Sequence, residues 1–197
     1  MAPGVSRTRP RASKIVVTGP VDAGKTTFVR TISDVSVVST EREVTGPGGG
    51  TTTVAMDFGH VSLGEGLSVS LFGTPGQRRF DFMWDVVAEG MLGFVLMVDG
   101  SRADDLGEAR RIRAHFTALA DVPHVVALNK VPAAVSAPVA QVRSGLGLPA
   151  DVPVVVADAR SRADVKRVLV RLLEVVRDRL AAPPATRTTT PAPGARR

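Results

Sequence analysis

Gly19-Pro20-Val21-Asp22-Ala23-Gly24-Lys25-Thr26 is the stretch of sequence that decides the fold. It follows the β-branched run Lys14-Ile15-Val16-Val17-Thr18 and precedes Thr27-Phe28-Val29-Arg30-Thr31-Ile32, whose apolar spacing is compatible with a helix. The stretch fits G-x-x-x-x-G-K-[ST], a pattern that binds phosphates where a strand precedes it and a helix follows. Backbone N–H groups of such a loop and of the helix N-terminus meet the negative charge of a di- or triphosphate. The alternative is a glycine-containing turn with an incidental lysine.

The residues of this loop have separate roles in holding a nucleotide. Gly19 and Gly24 let the chain bend closely around the phosphates, and Lys25 is expected on the β- and γ-phosphates. The Thr26 hydroxyl is expected to ligate Mg²⁺. The other nucleotide contacts predicted in and beside the loop are Val21, Asp22, Ala23 and Thr27.

The charge of the chain lies at its two ends. Residues 1–14 and 182–197 contain seven of the 25 basic residues and none of the 19 acidic ones, which leaves 18 basic against 19 acidic between them. The net charge of +6 therefore belongs to the ends, and the part between them carries −1. Both ends are rich in Pro, Ala, Thr and Gly, so we predict disordered tails at 1–13 and 182–197 around one domain at 14–181. No specific nucleic-acid binding is expected, although weak contact of the tails with anionic lipid or RNA is an alternative.

The chain contains no cysteine, so disulfides and thiolate metal sites are excluded. No apolar run approaches the roughly 20 residues of a membrane-spanning helix. These observations predict a soluble cytoplasmic protein that reaches a membrane at most peripherally, through partners.

Strand and helix signals alternate after the loop. Continuous apolar runs at 93–98, 124–128 and 152–157 are typical of buried parallel strands, and apolar residues recur at helical spacing at 106–119 and 165–180. Residues 51–58 and 67–71 alternate as a hairpin would, whereas 35–53 contain many glycines and predict a long functional loop. The expected fold class is α/β, with a mostly parallel sheet and helices on both faces.

The order of the motifs over 14–181 resembles a Ras-like small GTPase, a P-loop NTPase with a three-layer sandwich and one antiparallel hairpin strand in its sheet. Residues 51–59 are similar to the exit of switch I, and Gly73-Thr74-Pro75-Gly76-Gln77 is similar to switch II. Asn129-Lys130 stands where a guanine-reading Asn-Lys-x-Asp begins, and Asp158-Ala159-Arg160 where a Ser-Ala-Lys-type loop backs the base. The residues of these motifs are most similar to those of the bacterial MglA-related, conservon-type (CvnD-like) branch.

This resemblance implies a switch in bacterial signalling that binds GTP or GDP with Mg²⁺ and hydrolyses GTP slowly. Lys25, Gln77 and Thr53 would be catalytic, with Gln77 orienting the attacking water and the Gly76 amide sensing the γ-phosphate. Thr53 would join Thr26 on Mg²⁺ and close on the γ-phosphate. The base would be read by Asn129 and Lys130 and backed by Asp158, Ala159 and Arg160. The implied partners are a Roadblock-type regulator and a membrane sensor-kinase-like component.

Several residues depart from the family's pattern. Gly73 stands where switch II opens with an aspartate, Val21 where many relatives have glycine, and Pro132 where the guanine-binding aspartate belongs. Arg42, in the predicted loop, is a candidate arginine finger, against an exposed arginine with no such role. Two alternatives therefore stay open: a docking module that does not hydrolyse nucleotide, and a switch of relaxed base specificity that also accepts ATP.

Overall fold

The computed structural model describes residues 13–45, 51–64, 67–102, 106–132 and 138–181, and in 38–45, 51–55 and 138 the backbone alone. Within these ranges the chain forms a seven-stranded sheet in the order β2-β3-β4-β1-β5-β6-β7. The strands are β1 Ser13–Thr18, β2 Val38–Thr45, β3 Thr51–Gly64, β4 Leu67–Gly73, β5 Met91–Asp99, β6 His124–Asn129 and β7 Val154–Val156. Among them β3 alone runs opposite to the rest, since it pairs antiparallel with both β2 and β4. The expected α/β fold with a mostly parallel sheet and one antiparallel strand is confirmed.

Helices cover both faces of this sheet. They are α1 Lys25–Ile32, α2 Phe82–Ala88, α3 Gly107–Leu119, α4 Pro138–Leu146 and α5 Arg162–Ala181. One buried cluster joins α1 and α5 to the sheet, and a second joins α2, α3 and α4 to its other face. Short 3₁₀ turns precede α2 at Arg78–Phe80 and follow β5 at Gly100–Arg102.

Strand β5 shows why a strand in the middle of the sheet has a continuous apolar run in its sequence. Val95 and Met97 belong to the cluster under α1 and α5, whereas Phe94, Leu96 and Val98 belong to the cluster under α2 and α3. Because successive side chains of a strand point to opposite faces, a strand covered on both sides has no position for a polar residue. Strand β1 lies between β4 and β5 and ends at the phosphate loop, so the loop emerges at the carboxyl edge where open α/β sheets bind ligands.

The prediction of a loop throughout 35–53 is wrong for Val38–Thr45, which forms β2. This strand pairs with β3 from Val38 opposite Phe58 to Thr45 opposite Thr51. The glycines that argued against a strand lie in 46–50, outside the described residues, and the segment before them is rich in β-branched and polar residues that an edge strand tolerates. The predicted tails 1–13 and 182–197 also lie outside the described residues, apart from Ser13 in β1.

The last helix follows its apolar stripe except at the end. Val165, Val168, Leu169, Leu172 and Val176 are buried as the spacing indicates, but Leu180 is 77% exposed. Within the described residues, the buried part of this stripe therefore ends at Val176.

Candidate functional site

The phosphate loop needs glycine at two positions because other chain segments lie against it. Gly19 has a φ of 145° and Gly24 a φ of 101°, in the region that side chains disfavour. A Cβ atom on Gly19 would collide with the carbonyl of Met97 in β5, and one on Gly24 would collide with the side-chain amide of Asn129. The two glycines therefore let the loop close on β5 and on the end of β6, as well as leaving room for phosphates.

Lys25 lies over the loop with its charge largely out of water. Its side chain is only 9% exposed, and Nζ donates hydrogen bonds to the carbonyls of Gly19 at 2.9 Å and Pro20 at 2.6 Å. Burial lowers the pKa of Lys25 to about 8, against the attraction of Asp22 and Asp57. An ammonium group held in this way strengthens its interaction with any anion that reaches the loop.

Asp57 lies at this site and was not singled out from the sequence. The Thr26 hydroxyl donates a hydrogen bond to Asp57 Oδ2 at 2.5 Å, which joins α1 to β3. Asp57 is the register partner of Gly73, and a Cβ atom on Gly73 would lie 3.1 Å from the Asp57 Cβ. The carboxylate that switch II lacks at Gly73 is thus matched by one on the neighbouring strand. The one feature of the sequence that could have indicated Asp57 was the predicted hairpin, because the register of its strands decides which residue lies opposite Gly73.

The oxygens of Thr26 and Asp57 fit Mg²⁺. This ion binds proteins through one or two carboxylates together with substrate phosphates and keeps several waters. Within the described residues no group of three or more His, Cys, Asp or Glu side chains could hold a metal ion by itself. The site therefore suits an ion that arrives with a nucleotide.

Thr53, the other predicted Mg²⁺ ligand, stays a prediction because its side chain lies outside the described residues. It belongs to the same strand as Asp57 and stands four residues before it. At about 3.3 Å per residue this places its Cα about 13 Å from that of Asp57.

The segment after β4 is seated against the phosphate loop. Thr74 donates its backbone N–H to the Val17 carbonyl at 3.0 Å and its hydroxyl to Thr18 at 2.9 Å. A Cβ atom on Gly76 would lie 2.7 Å from both Lys25 Nζ and the Val21 backbone nitrogen. A cavity of about 330 Å³ brings Gln77 together with Lys25, Thr26 and Asp57, among other residues. The predicted catalytic residues Lys25 and Gln77 thus share one cavity.

A larger cavity of about 770 Å³ lies beside the loop, lined by Gly24, Thr27, Lys130, Ala159 and others. Asn129 is 4% exposed at its edge, with its Nδ2 donating to the Ala23 carbonyl at 3.0 Å and its Oδ1 accepting from Ala159 N at 3.1 Å. Each end of this amide makes one hydrogen bond to a backbone group. Asn129 therefore fastens the phosphate loop to the 158–160 loop and occupies the Ala159 N–H, while the second N–H of its Nδ2 takes no part in these two bonds.

The carboxylates of this larger cavity are all neutralised by arginines. Asp158 binds Arg160 at 2.8 Å, and that hydrogen bond holds the pKa of Asp158 at about 2. Asp164 binds Arg167 at 2.8 Å. Pro132 is exposed, and its side chain offers no hydrogen-bonding group at the position of the guanine-binding aspartate. Among the described residues that line the cavity, no carboxylate lacks an arginine partner, so none stands ready for the two N–H groups of guanine.

Two positively charged side chains border the loop on its open side. Lys130, at a φ of 55°, donates to the Asp22 carbonyl at 2.6 Å and pairs with Asp99 at 3.0 Å. Arg102 lines a cavity of about 440 Å³ together with Lys25, Thr26 and Lys130, and sequence reasoning did not single it out. Arg42, the candidate arginine finger, lies where side chains are not described.

Comparison with known proteins gives two matches. The sequence profile of a family described as "Conserved hypothetical ATP binding protein" matches residues 35–178, more than half of the chain. An uncharacterised protein of Methanocaldococcus jannaschii, MJ1339, is 34% identical over 89 residues, which are 45% of this chain and 52% of that protein. The chain thus spans about half the length of this curated relative.

The family match corrects the assignment to the MglA-related, conservon-type branch of Ras-like GTPases, which was wrong. The phosphate loop and a glycine-containing segment after the next strand serve phosphate binding in general, so they do not separate one P-loop family from another. The guanine-reading residues would separate them, and at Pro132 this chain lacks one. The partners implied by that branch, the Roadblock-type regulator and the sensor-kinase-like component, have no support from either match. In the described part of the chain, no helix has both the length and the apolar character needed to cross a membrane.

Proposed function

The chain belongs to the family of conserved hypothetical ATP binding proteins, and from this we propose that it binds ATP and GTP alike, with Mg²⁺, and hydrolyses them slowly. The observation that carries the proposal is the setting of Lys25. Its desolvated ammonium lies over the loop carbonyls, beside the Thr26–Asp57 pair and Gly76. Few arrangements other than a phosphate site place a buried lysine, a hydroxyl, a carboxylate and a close backbone turn together.

The phosphates would be held by the chain's own donors. Backbone N–H groups of the loop and of the first turn of α1 would surround them, and Lys25 would contact the terminal ones. Bound Mg²⁺ would supply positive charge between the phosphate oxygens, with Thr26 and Asp57 on its protein side. Gly76, already against Lys25, would place its N–H toward the terminal phosphate.

Hydrolysis by such a site depends on orienting a water molecule rather than on covalent chemistry. Gln77 shares the cavity of Lys25 and Thr26, and for that reason we assign it the role of orienting the water. Val21 is 47% exposed at the same loop and adds a side chain beside the path of an activating group. We expect slow intrinsic turnover, because a single amide side chain would orient the water.

Relaxed base preference follows from the larger cavity. Asn129 and Ala159 bind each other, and both lining carboxylates are paired with arginines. Because both lining carboxylates are paired, we take shape and stacking as the main contacts to the base, and these differ little between the two purines. The family description, which names ATP, agrees with this proposal.

The test is calorimetric titration of nucleotide-free protein with AMP-PNP, GMP-PNP and GDP, each with and without Mg²⁺. We expect the two triphosphate analogues to bind within tenfold of each other and Lys25→Ala to abolish both. A preference for GMP-PNP above a hundredfold would contradict relaxed base reading. Absence of binding would contradict the proposal and leave the docking module.

Pro132→Asp tests the base reading directly. A carboxylate there gains up to two charge-assisted hydrogen bonds to guanine, each worth roughly 1.5–3 kcal/mol when dry. Because position 132 is exposed, we include only one of these hydrogen bonds. It should raise the ratio of GTP affinity to ATP affinity by about tenfold to a hundredfold. Pro132→Ala, which removes the ring without adding a carboxylate, is the control and should leave the ratio unchanged. Equal ratios in both variants would mean that the base does not approach residue 132.

A further inference from the structure

We propose that Arg111 is a positioning residue for hydrolysis, which acts from α3 by holding the segment that carries Gln77 against the phosphate loop. The inference rests on the proposed function, since it takes Gln77 as the residue that orients water. It assigns to Arg111 a role that neither the loop motifs nor the family match contains.

Arg111 projects from a helix that the core holds rigidly. Ala109, Ile112 and Phe116 of α3 are at most 1% exposed and pack into the cluster beneath α2. From this helix the Arg111 guanidinium binds two acids: Asp81, by a close ion pair, and Glu108, at 2.6 Å and 3.2 Å. Asp81 is the residue on which α2 begins, so this contact joins α3 to the start of α2.

Glu108 on α3 also binds an arginine of the segment that carries Gln77. Arg78, next to Gln77, donates to Glu108 Oε2 through Nε at 3.2 Å and Nη2 at 3.1 Å. Arg78 begins the 3₁₀ turn and Asp81 follows it, and Phe80 N donates to the Gln77 carbonyl at 3.0 Å. Both ends of the turn that follows Gln77 are thereby fixed to α3 through Arg111 and Glu108.

Arg111 is the stronger of the two attachments. The Arg78 side chain is 76% exposed, and an exposed ion pair contributes little to stability. The Arg111 side chain is 35% exposed, and its guanidinium carbon lies 5.0 Å from the centre of the Trp84 ring. Stacking on a buried indole shields the guanidinium from water and fixes its plane, which favours two-sided binding of Asp81 and Glu108.

On its other side the segment is stopped by the phosphate loop. Gly76 leaves no room for a Cβ atom against Lys25 Nζ and Val21 N. The segment is therefore held between the loop and α3, and Gln77 lies at the point between the two contacts. Displacement of a catalytic group by about 1 Å can cost about a hundredfold in rate. Loss of the α3 contact should therefore slow hydrolysis while leaving nucleotide binding to the loop intact.

The experiment compares the full-length chain with Arg111→Gln, Arg111→Lys and the control Arg110→Gln. Arg110 is the neighbouring α3 residue, but it binds the Gly145 carbonyl of α4 and makes no contact with the Gln77 segment in the described structure. We expect Arg111→Gln to lower the single-turnover rate of ATP and GTP hydrolysis at least tenfold with the Kd changed less than threefold. Arg111→Lys, which keeps the charge but not the two-sided fork, should recover part of the rate. An unchanged rate in Arg111→Gln, or a Kd that rises as much as the rate falls, would overturn the inference.

A second readout separates this inference from the proposed function. Trp84 is the one tryptophan of the chain, there is no tyrosine, and its ring is fully buried beneath Arg111. Arg111→Gln should shift its emission to longer wavelength and raise its quenching by acrylamide, with or without nucleotide, whereas Arg110→Gln should do neither. Failure of the wild-type chain to bind or hydrolyse nucleotide would contradict the proposed function. Unchanged quenching of Trp84 in Arg111→Gln would contradict the positioning role of Arg111.

Discussion

The carboxylate of Asp57, which we propose at the Mg²⁺ site, can be moved from β3 to the neighbouring strand β4. Asp57→Asn removes the charge from β3 without changing the size of the side chain, and it should weaken Mg²⁺ binding in the nucleotide complex. The double change Asp57→Gly with Gly73→Asp places the carboxylate on β4 instead. The Cβ that this adds would stand 3.1 Å from the Cβ of Asp57, so glycine at position 57 is required to make room.

The size of the effect follows from the charge on the ion. Two unit charges 4 Å apart attract by about 1 kcal/mol in water and about 4 kcal/mol at an effective dielectric constant of 20. A dication doubles these values to about 2–8 kcal/mol, and the open position of the site places it near the lower limit. About 2 kcal/mol is about a 30-fold increase in the Mg²⁺ concentration needed for half-maximal effect. The double variant should recover at least half of this loss in free energy.

The assay is a Mg²⁺ titration of nucleotide affinity and of single-turnover hydrolysis for the wild type and the variants. Asp22→Asn is the control, since Asp22 also acts electrostatically on Lys25 but makes no hydrogen bond to Thr26 in the described structure. Its Mg²⁺ requirement should stay close to that of the wild type. If Asp57→Asn and Asp22→Asn raise the requirement equally, a general loss of negative charge explains the result, and Asp57 has no special place at the metal.

Two further predictions concern pH. Burial lowers the Lys25 pKa to about 8, so the ammonium group of the free protein is lost between pH 7 and pH 9 and nucleotide affinity should fall about tenfold. Lys25→Arg should bind nucleotide more weakly but keeps its charge throughout this range. Calorimetry of this variant should therefore show no such fall. Burial lowers the His124 pKa from 6.5 to about 4, so between these pH values the imidazole is protonated in the unfolded chain but not in the folded one. The free energy of unfolding should therefore fall by up to about 3 kcal/mol as pH falls from 6.5 to 4. Urea unfolding of the wild type and His124→Gln at pH 7 and pH 4.5 measures this, and an equal loss in both would assign it to other groups.

Local patterns predicted most of the framework. The phosphate loop, helix α1 and the buried strands β5 and β6 were readable because each depends on residues close in sequence: glycines at the bend, or an apolar run covered on both faces. Strand β2 was missed because an edge strand needs no apolar pattern, and only its pairing with β3 reveals it. The family assignment failed because phosphate-binding motifs are shared among P-loop families.

The sequence by itself determined that a phosphate loop lies between a buried strand and a helix in an α/β domain, since glycine conformation and apolar periodicity are local properties. Only the tertiary structure decided which distant side chains meet there. The register of β3 against β4 places Asp57 beside Gly73 and Thr26, and the packing of α3 places Arg111 between Asp81 and Glu108. In β3 a shift of one residue would turn Asp57 to the opposite face, and the pairing with β4 decides that Gly73 is the residue opposite it. The chemistry of the site is therefore set by long-range packing on a framework that the local sequence encodes.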